Sequence, residues 1–495
     1  MARHRLTDEQ KVVAASSAPL VFVESVPGSG KTTVAAERFG VLRHYVHRDD
    51  QRGIVAVSFA RSAVAELRGR IEHRWGTRTV AVPNWVTTMD GLHRAIVEFL
   101  LHTGRVRWPG GIMRPRLIDS WARQRGASRI TVGSERNQRW ELALSGDTLA
   151  VAFRVVETTC WGMAYAKRSD YVDALSDGVC THDEIRQIVG LALGRPVLRT
   201  AIDEYLARSF VHLIVDEAFD LNGLDALIVR RAIESGIGIT LVGDPWQALY
   251  EWRGARPDMV YRLLADHSFV ILPMHTSFRF RTRETSDLAA RLRAGQAVTL
   301  LPGGSDSNVV LACEWDHLLT AGADVLPLSF GQLDCQTDAS LVLVLDAVAQ
   351  ARLGEPALGV PEALRCLRRA EDSIDLEDVL GLLRDPTIAI NDVMAQLRLA
   401  TKVQAIRLPS LPSARIATRL QRLGLLREWL LAGLPQVPGL SVHQAKGREW
   451  SRVDVVLDDV AHAVVTAGLD ETKEDHRKLY VALTRGRHQT RVRRI

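Results

Sequence analysis

The chain has 495 residues, 46% hydrophobic and 24% charged, enough for two to four compact domains and inconsistent with wholesale disorder. Lys and Arg number 63 against 58 Asp and Glu, a formal charge of +5; that surplus is compatible with nucleic acid but too small to argue for it alone. No apolar run reaches about 18 residues, which excludes a membrane-spanning helix. "MARHRLTDEQ" lacks the apolar core of a signal peptide. Cys160, Cys180, Cys313, Cys335 and Cys366 lie far apart, which gives no zinc or iron–sulfur spacing and suits a reducing, cytoplasmic setting.

In chain order, "PLVFVES" is a short apolar, β-branched run and reads as a buried strand. "KTTVAAERF" reads as a helix, and the turn between them, Ser25-Val26-Pro27-Gly28-Ser29-Gly30-Lys31-Thr32, nearly fits the phosphate-loop pattern G-x-x-x-x-G-K-[ST]. Ser25 stands where that pattern has its first glycine. The glycines that allow close backbone approach, Gly28 and Gly30, are kept. A helix N-terminus at this point attracts an anion through its free N–H groups and dipole. Lys31 is then expected to reach the β- and γ-phosphates, and the Thr32 hydroxyl to ligate Mg²⁺.

"GIVAVSFARSAVAELRGRI" follows as strand, polar turn and helix, with Val64, Leu67 and Ile71 on the apolar side. Residues 91–205 read as mostly helical. "FVHLIVDEAFDLNGLDALIVRRAI" is again a strand feeding a helix, and the strand ends in Asp216-Glu217. "GIGITLVGDPWQALYEWRGA" is a further strand, ending in Gly243-Asp244. Repeated strand-then-helix units signal a parallel α/β sheet whose ligands sit at the carboxyl ends of the strands. From about 281 to 440 the pattern loosens. "EDSIDLEDVLGLLRD" and "VMAQLRLATKVQAI" look helical, and "LPSLPSARIATRL" looks like a linker. Strand-like order returns at "GLSVHQAKGREWSRVDVVLDDV", and the reading ends on the helix "KEDHRKLYVALTRGRHQ".

A hydrophobic strand delivering Asp-Glu suits a phosphate-loop ATPase: Asp216 for Mg²⁺ through water, Glu217 to polarise the attacking water. Positive charge on the γ-phosphate is worth roughly 10³–10⁵ in rate. Arg279 in "TSFRF" and Arg485 in "YVALTRGR" are the candidates.

Taken together, the order of segments resembles the UvrD/Rep/PcrA family of superfamily 1 DNA helicases. "LTDEQ" looks like its Q motif, and "SVPGSGKTT" is similar to its loop, usually A-G-A-G-S-G-K-T, which also lacks the first glycine. "VSFARSAVAELRGRI" resembles T-F-T-N-K-A-A-x-E-M, and "VTTMDGL" is like T-x-H-S-L with Asp90 where the family has His. "IVDEAFD" resembles V-D-E-x-Q-D, and "LVGDPWQALYEWRGA" resembles V-G-D-x-x-Q-S-I-Y-x-F/W-R-G-A. "TSFRF", "SVHQAKGREW" and "RKLYVALTRGR" stand for N-Y-R-S, T-x-H-x-x-K-G-L-E-W/F and R-L-x-Y-V-A-x-T-R-A. Phe219 replaces the Gln of D-E-x-Q-D, which touches the link between hydrolysis and the next motif; Ser277, Phe280, Ser441 and Arg448 are milder departures.

The resemblance implies an α/β fold of two RecA-like parallel-sheet domains with helical insertions. Domain 1A would cover 1–90 and 206–272, insertion 1B 91–205, domain 2A 273–350 and 431–495, and a reduced 2B-like insertion 351–430. No nuclease domain is expected after Arg485. It implies ATP and Mg²⁺ held by Gln10, Gly28, Ser29, Gly30, Lys31, Thr32, Thr33, Phe278, Arg279, Glu449 and Arg485. Of these, Gln10 would read the adenine edge, Phe278 stack on adenine and Glu449 hold the ribose; Thr32 and Asp216 would hold the metal. Gln247 would sense the γ-phosphate. Phe59, Arg61, Thr88, Tyr250, Trp252, Arg253 and His443 would line a single-strand track. The activity implied is that of an ATP-dependent DNA helicase/translocase that moves 3′–5′ on single-stranded DNA and couples ATP hydrolysis to duplex unwinding at single-strand/duplex junctions. The alternative is an ATP-gated DNA-binding and DNA-sensing subunit of a larger assembly, such as an antiphage complex, that works with a protein partner and unwinds poorly alone.

Overall fold

The computed structural model describes residues 5–118, 138–155, 168–331, 333, 335–367, 375–404, 406, 408 and 410–495. The chain divides into two units, Met1–Phe278 and Arg279–Ile495, each built on one parallel six-stranded sheet, in agreement with the α/β class read from the sequence.

The strands of the first unit are β1 Leu20–Ser25, β2 Gly53–Ser58, β3 Trp85–Thr88, β4 Arg116–Ile118, β5 Gln138–Ser145, β6 Thr148–Val155, β7 Val179–Thr181, β8 Phe210–Asp216, β9 Gly238–Gly243 and β10 Val270–Met274. Its sheet runs β10-β1-β9-β8-β2-β3. Strands β2, β8 and β9 are buried along their whole length. That follows from helices covering both faces of a parallel sheet, which is why these strands read as near-continuous apolar runs. Register brings the strand exits to one rim: Ser25 lies opposite Met274, Glu24 opposite Gly243, Asp216 opposite Val242 and Ser58 opposite Thr88.

The segment between β3 and β8 is less helical than the sequence suggests. Helices Met89–His102, Arg168–Ser176, His182–Leu193 and Pro196–Ser209 are joined by the antiparallel hairpin β5–β6 and the short pair β4–β7. The hairpin turns at Gly146, which has a left-handed φ of 63°. Alternating apolar residues around Ser-Gly-Asp-Thr are a hairpin signal, overlooked because helical segments flank it on both sides.

The second unit has β11 Leu301–Pro302, β12 Val309–Ala312, β13 Val325–Pro327, β14 Val437–Ser441, β15 Trp450–Leu457 and β16 Gly486–Arg494, ordered β11-β16-β15-β12-β14-β13. Five helices, Gln336–Leu353, Val360–Cys366, Glu377–Arg384, Ile390–Val403 and Ser413–Leu431, separate β13 from β14 among the described residues. The first of them straddles the boundary expected at 350, and the last begins inside the stretch read as a linker. The insertion is fixed by a buried charge cluster. Arg419 Nη2 and Arg422 Nη1 donate to the Asp338 carboxylate at 2.6 and 3.0 Å, and the Arg422 guanidinium also lies over the rings of Trp315 and Phe330.

Candidate active site

The phosphate-loop segment leaves β1 and enters helix Lys31–Val41. Gly28 and Gly30 have φ of 76° and 83°, the left-handed region that glycine occupies without strain. Gly30 caps the helix without a side-chain hydrogen bond, so the first-turn N–H groups are left for a ligand. The Ser29 hydroxyl is buried and makes no hydrogen bond among the described residues, an orphan that a phosphate oxygen or its water would satisfy. Ser25, at the place of the missing glycine, is buried, and its hydroxyl donates to the Gly243 carbonyl at 2.8 Å. The departure from the general pattern therefore ties the exits of two neighbouring strands.

Across the rim, Lys31 Nζ sits 2.9 and 3.0 Å from the two carboxylate oxygens of Glu217. Glu217 has φ 56° and is the one non-glycine with positive φ among the described residues. Strain of this kind concentrates at functional sites. Asp216 is fully buried; desolvation first, and the neighbouring Glu217 charge second, push its carboxyl up to about 7. A divalent cation would reverse that penalty, so Asp216 and the Thr32 hydroxyl fit the magnesium role by their chemistry. Gln247 is buried, and its amide donates to Asp244 Oδ2 at 2.6 Å. Asp244 thus sets the orientation of that side chain, a role its i, i+3 spacing could have signalled.

Gln10 caps its own helix, accepting from Thr7 N–H, and donates to the Ser29 carbonyl at 2.9 Å. Thr33 Oγ1 accepts from Arg70 at 2.8 Å, a partner the sequence did not suggest. Phe278 is 44% exposed, and its N–H donates to the Gly28 carbonyl at 2.9 Å, which places an open ring beside the phosphate loop.

Tyr250, Trp252 and Arg253 follow β9. Trp252 is 59% exposed rather than a core tryptophan, with the Arg253 guanidinium 4.6 Å from its ring centroid and 5.5 Å from that of Tyr250. Farther along the same rim, Phe59 is half-buried and Arg61 exposed after β2. Thr88 caps helix Met89–His102 by accepting from Gly91 N–H at 3.1 Å. Asp90 is engaged by Arg186 at 2.7 Å.

In the second unit, Arg279 donates to Glu449 Oε2 at 3.0 Å and to the Thr484 carbonyl at 3.1 Å. Arg279, Glu449 and the segment carrying Arg485 therefore cluster. Arg485 itself is fully buried and donates to the Val481 carbonyl at 2.9 Å. His443 lies half-buried in the short helix Val442–Ala445.

Comparison with known proteins agrees with both units. Residues 8–253 match an AAA domain model, and residues 439–492 match the UvrD-like helicase C-terminal domain. The chain is similar to UvrD/PcrA-like helicases in both units. It is 24% identical to DNA helicase II of Escherichia coli over 403 residues, 77% of this chain and 54% of that protein. It is 25% identical to DNA helicase II of Salmonella typhimurium over 272 residues, 53% of this chain and 36% of that protein. ATP-dependent DNA helicase PcrA of Bacillus subtilis matches at 22% over 266 residues, 50% of this chain and 33% of that protein. The UvrD-like chain thus spans about half or less of the length of these curated relatives. None of its described helices is long and apolar enough to cross a membrane.

Proposed function

We propose that the UvrD-like chain is an ATP-driven motor on single-stranded DNA. The observation that carries this reading is the shared rim of the first sheet. The phosphate loop leaves β1, the carboxylate pair leaves β8, and Gln247 and the turn of half-buried Tyr250 and exposed Trp252 and Arg253 leave β9. One set of strand ends thereby offers groups for a nucleotide and an aromatic platform for bases.

In this reading ATP is the substrate. Lys31 exchanges its Glu217 partner for the β- and γ-phosphates. Glu217, released, accepts a hydrogen bond from the attacking water. Gln247, aimed by Asp244, reports the γ-phosphate. Bound Mg²⁺, held by Thr32 and Asp216, would neutralise charge on the transferring phosphoryl group. Arg279 and Arg485 take the family's arginine roles. Trp252 and Tyr250 stack bases without regard to sequence, and phosphate contacts make DNA binding fall with salt. The family resemblance supports 3′–5′ movement.

The test is DNA-stimulated ATP hydrolysis. Lys31→Ala lowers turnover about 10²–10³-fold, the cost of removing one preorganised electrostatic donor; unchanged hydrolysis in that variant rejects the site. A second reading, an ATP-gated DNA-sensing subunit, is favoured by Phe219, which supplies no side-chain hydrogen bond where the family has Gln. Unwinding of a forked duplex by the purified chain rejects it, and DNA-stimulated hydrolysis without unwinding supports it.

A further inference from the structure

Phe219 is 2% exposed and lies two residues beyond Glu217. Its ring meets Phe22 of β1 edge-on, with centroids 6.0 Å apart, and Tyr261 of helix Pro257–Asp266 at 5.4 Å. Gly243, the last residue of β9, comes so close that a Cβ there would stand 2.8 Å from the ring. Each contact leads somewhere different. Phe22 is on the strand that feeds the phosphate loop. Gly243 precedes Asp244 and Gln247. Tyr261 is on the helix that follows the Tyr250–Arg253 turn. The backbone repeats the last connection: Arg256 N–H donates to the Leu221 carbonyl at 2.7 Å, and Asn222 bridges Ala255.

We infer that Phe219 is a positioning residue that links occupancy of the aromatic turn to the geometry of Glu217, by packing where the family has an amide; this rests on the motor reading above. A close-packed interior passes on displacement because it has no room to absorb it. A base stacked on the Tyr250–Arg253 turn bears on helix Pro257–Asp266 and so on the ring. The ring shares a tight turn with Glu217, closed by Asp220 N–H donating to the Glu217 carbonyl at 2.9 Å. Glu217 already stands in a strained backbone conformation, so a small shift there changes where its carboxylate points.

The experiment compares ATP turnover with and without an oligothymidylate strand in the wild type, Phe219→Ala, Phe219→Leu and Tyr261→Ala. The ratio of stimulated to DNA-free turnover falls about 2- to 30-fold in Phe219→Ala, the range of mutations along a coupling route. Phe219→Leu retains more of the ratio. Tyr261 is 44% exposed, so Tyr261→Ala probes the same contact from the surface side and also lowers the ratio. Strand affinity by fluorescence anisotropy stays close to wild type in Tyr261→Ala. Unchanged ratios in the variants overturn the inference, as does a parallel fall of both rates, which marks Phe219 as a core residue only. If Phe219→Ala fails to fold, Phe219→Leu and Tyr261→Ala decide by the same criteria. A wild type without stimulation overturns the motor reading and the inference with it; a stimulated wild type with an equally stimulated Phe219→Ala overturns the inference alone.

Discussion

In the first unit the largest fully buried side chain is Arg38, and its described partners are the carbonyls of Val13, Ser16 and Ala18 and the hydroxyl of Thr240. In the second unit Arg485 is likewise buried against a carbonyl, but four other arginines meet carboxylates. Asp338 takes Arg419 and Arg422, and Asp454 takes Arg491 and Arg493, each Nε at 2.9 Å. Asp306 and Asp324 complete the second cluster. The first sheet also buries His212, held below its ordinary range by desolvation and by the nearby Arg38 and His47 charges, and Asp216, pushed up to about 7. The second sheet therefore neutralises its own charge. At the rim of the first sheet Asp216 stands beside the Lys31–Glu217 pair with its charged form disfavoured, where a cation and a polyphosphate are proposed to bind.

The largest effect expected from this contrast is on the self-neutralised side. Asp338→Ala leaves Arg419 and Arg422 without that carboxylate and destabilises the second unit by about 3–5 kcal/mol, read by calorimetric unfolding. Arg38→Leu strands backbone acceptors but no counter-charge, and lowers the stability of the first unit by a smaller amount, on the order of 2–3 kcal/mol. A reversed order breaks the comparison.

The smallest effect concerns pH, and it sharpens the contrast. Asp216 has a raised folded pKa, so its contribution to stability is full below 3.8 and is lost as pH rises through about 7. His212 has a depressed folded pKa, so its contribution is present above 6.5 and is lost as pH falls below that value. The two slopes oppose each other between about pH 4 and 6.5. Relative to wild type, Asp216→Asn steepens the fall in Tm on acidification, and His212→Leu flattens or reverses it. Variant curves parallel to the wild type across this window remove the assigned shifts.

Much of the rim was legible because its chemistry is local. The Gly28–Thr32 loop follows an apolar strand, and Asp216 ends one, so both could be placed on strand exits without a structure. Phe219 was visible as a departure, but its contacts with Phe22, Gly243 and Tyr261 come from distant segments. Strand β16 was missed because "GRHQTRVRR" is too charged to read as a buried strand. Arg491 and Arg493 fit there only because Asp454, on the neighbouring strand, accepts from both. Arg38 was invisible for a similar reason. It lies on the face of a phosphate-loop helix that turns toward Thr240, and the carbonyls it satisfies are not written in side-chain polarity.

The backbone of Glu217 carries a consequence of its own. A left-handed conformation costs a side-chain-bearing residue roughly 1–2 kcal/mol relative to its preferred basin, and glycine would sit there at ease. The fold accepts that loss so that a carboxylate can face the lysine amine. A glycine there would relieve the backbone and at the same time remove the carboxylate that meets Lys31, so at this one position ease of folding and charge at the rim are exchanged for each other.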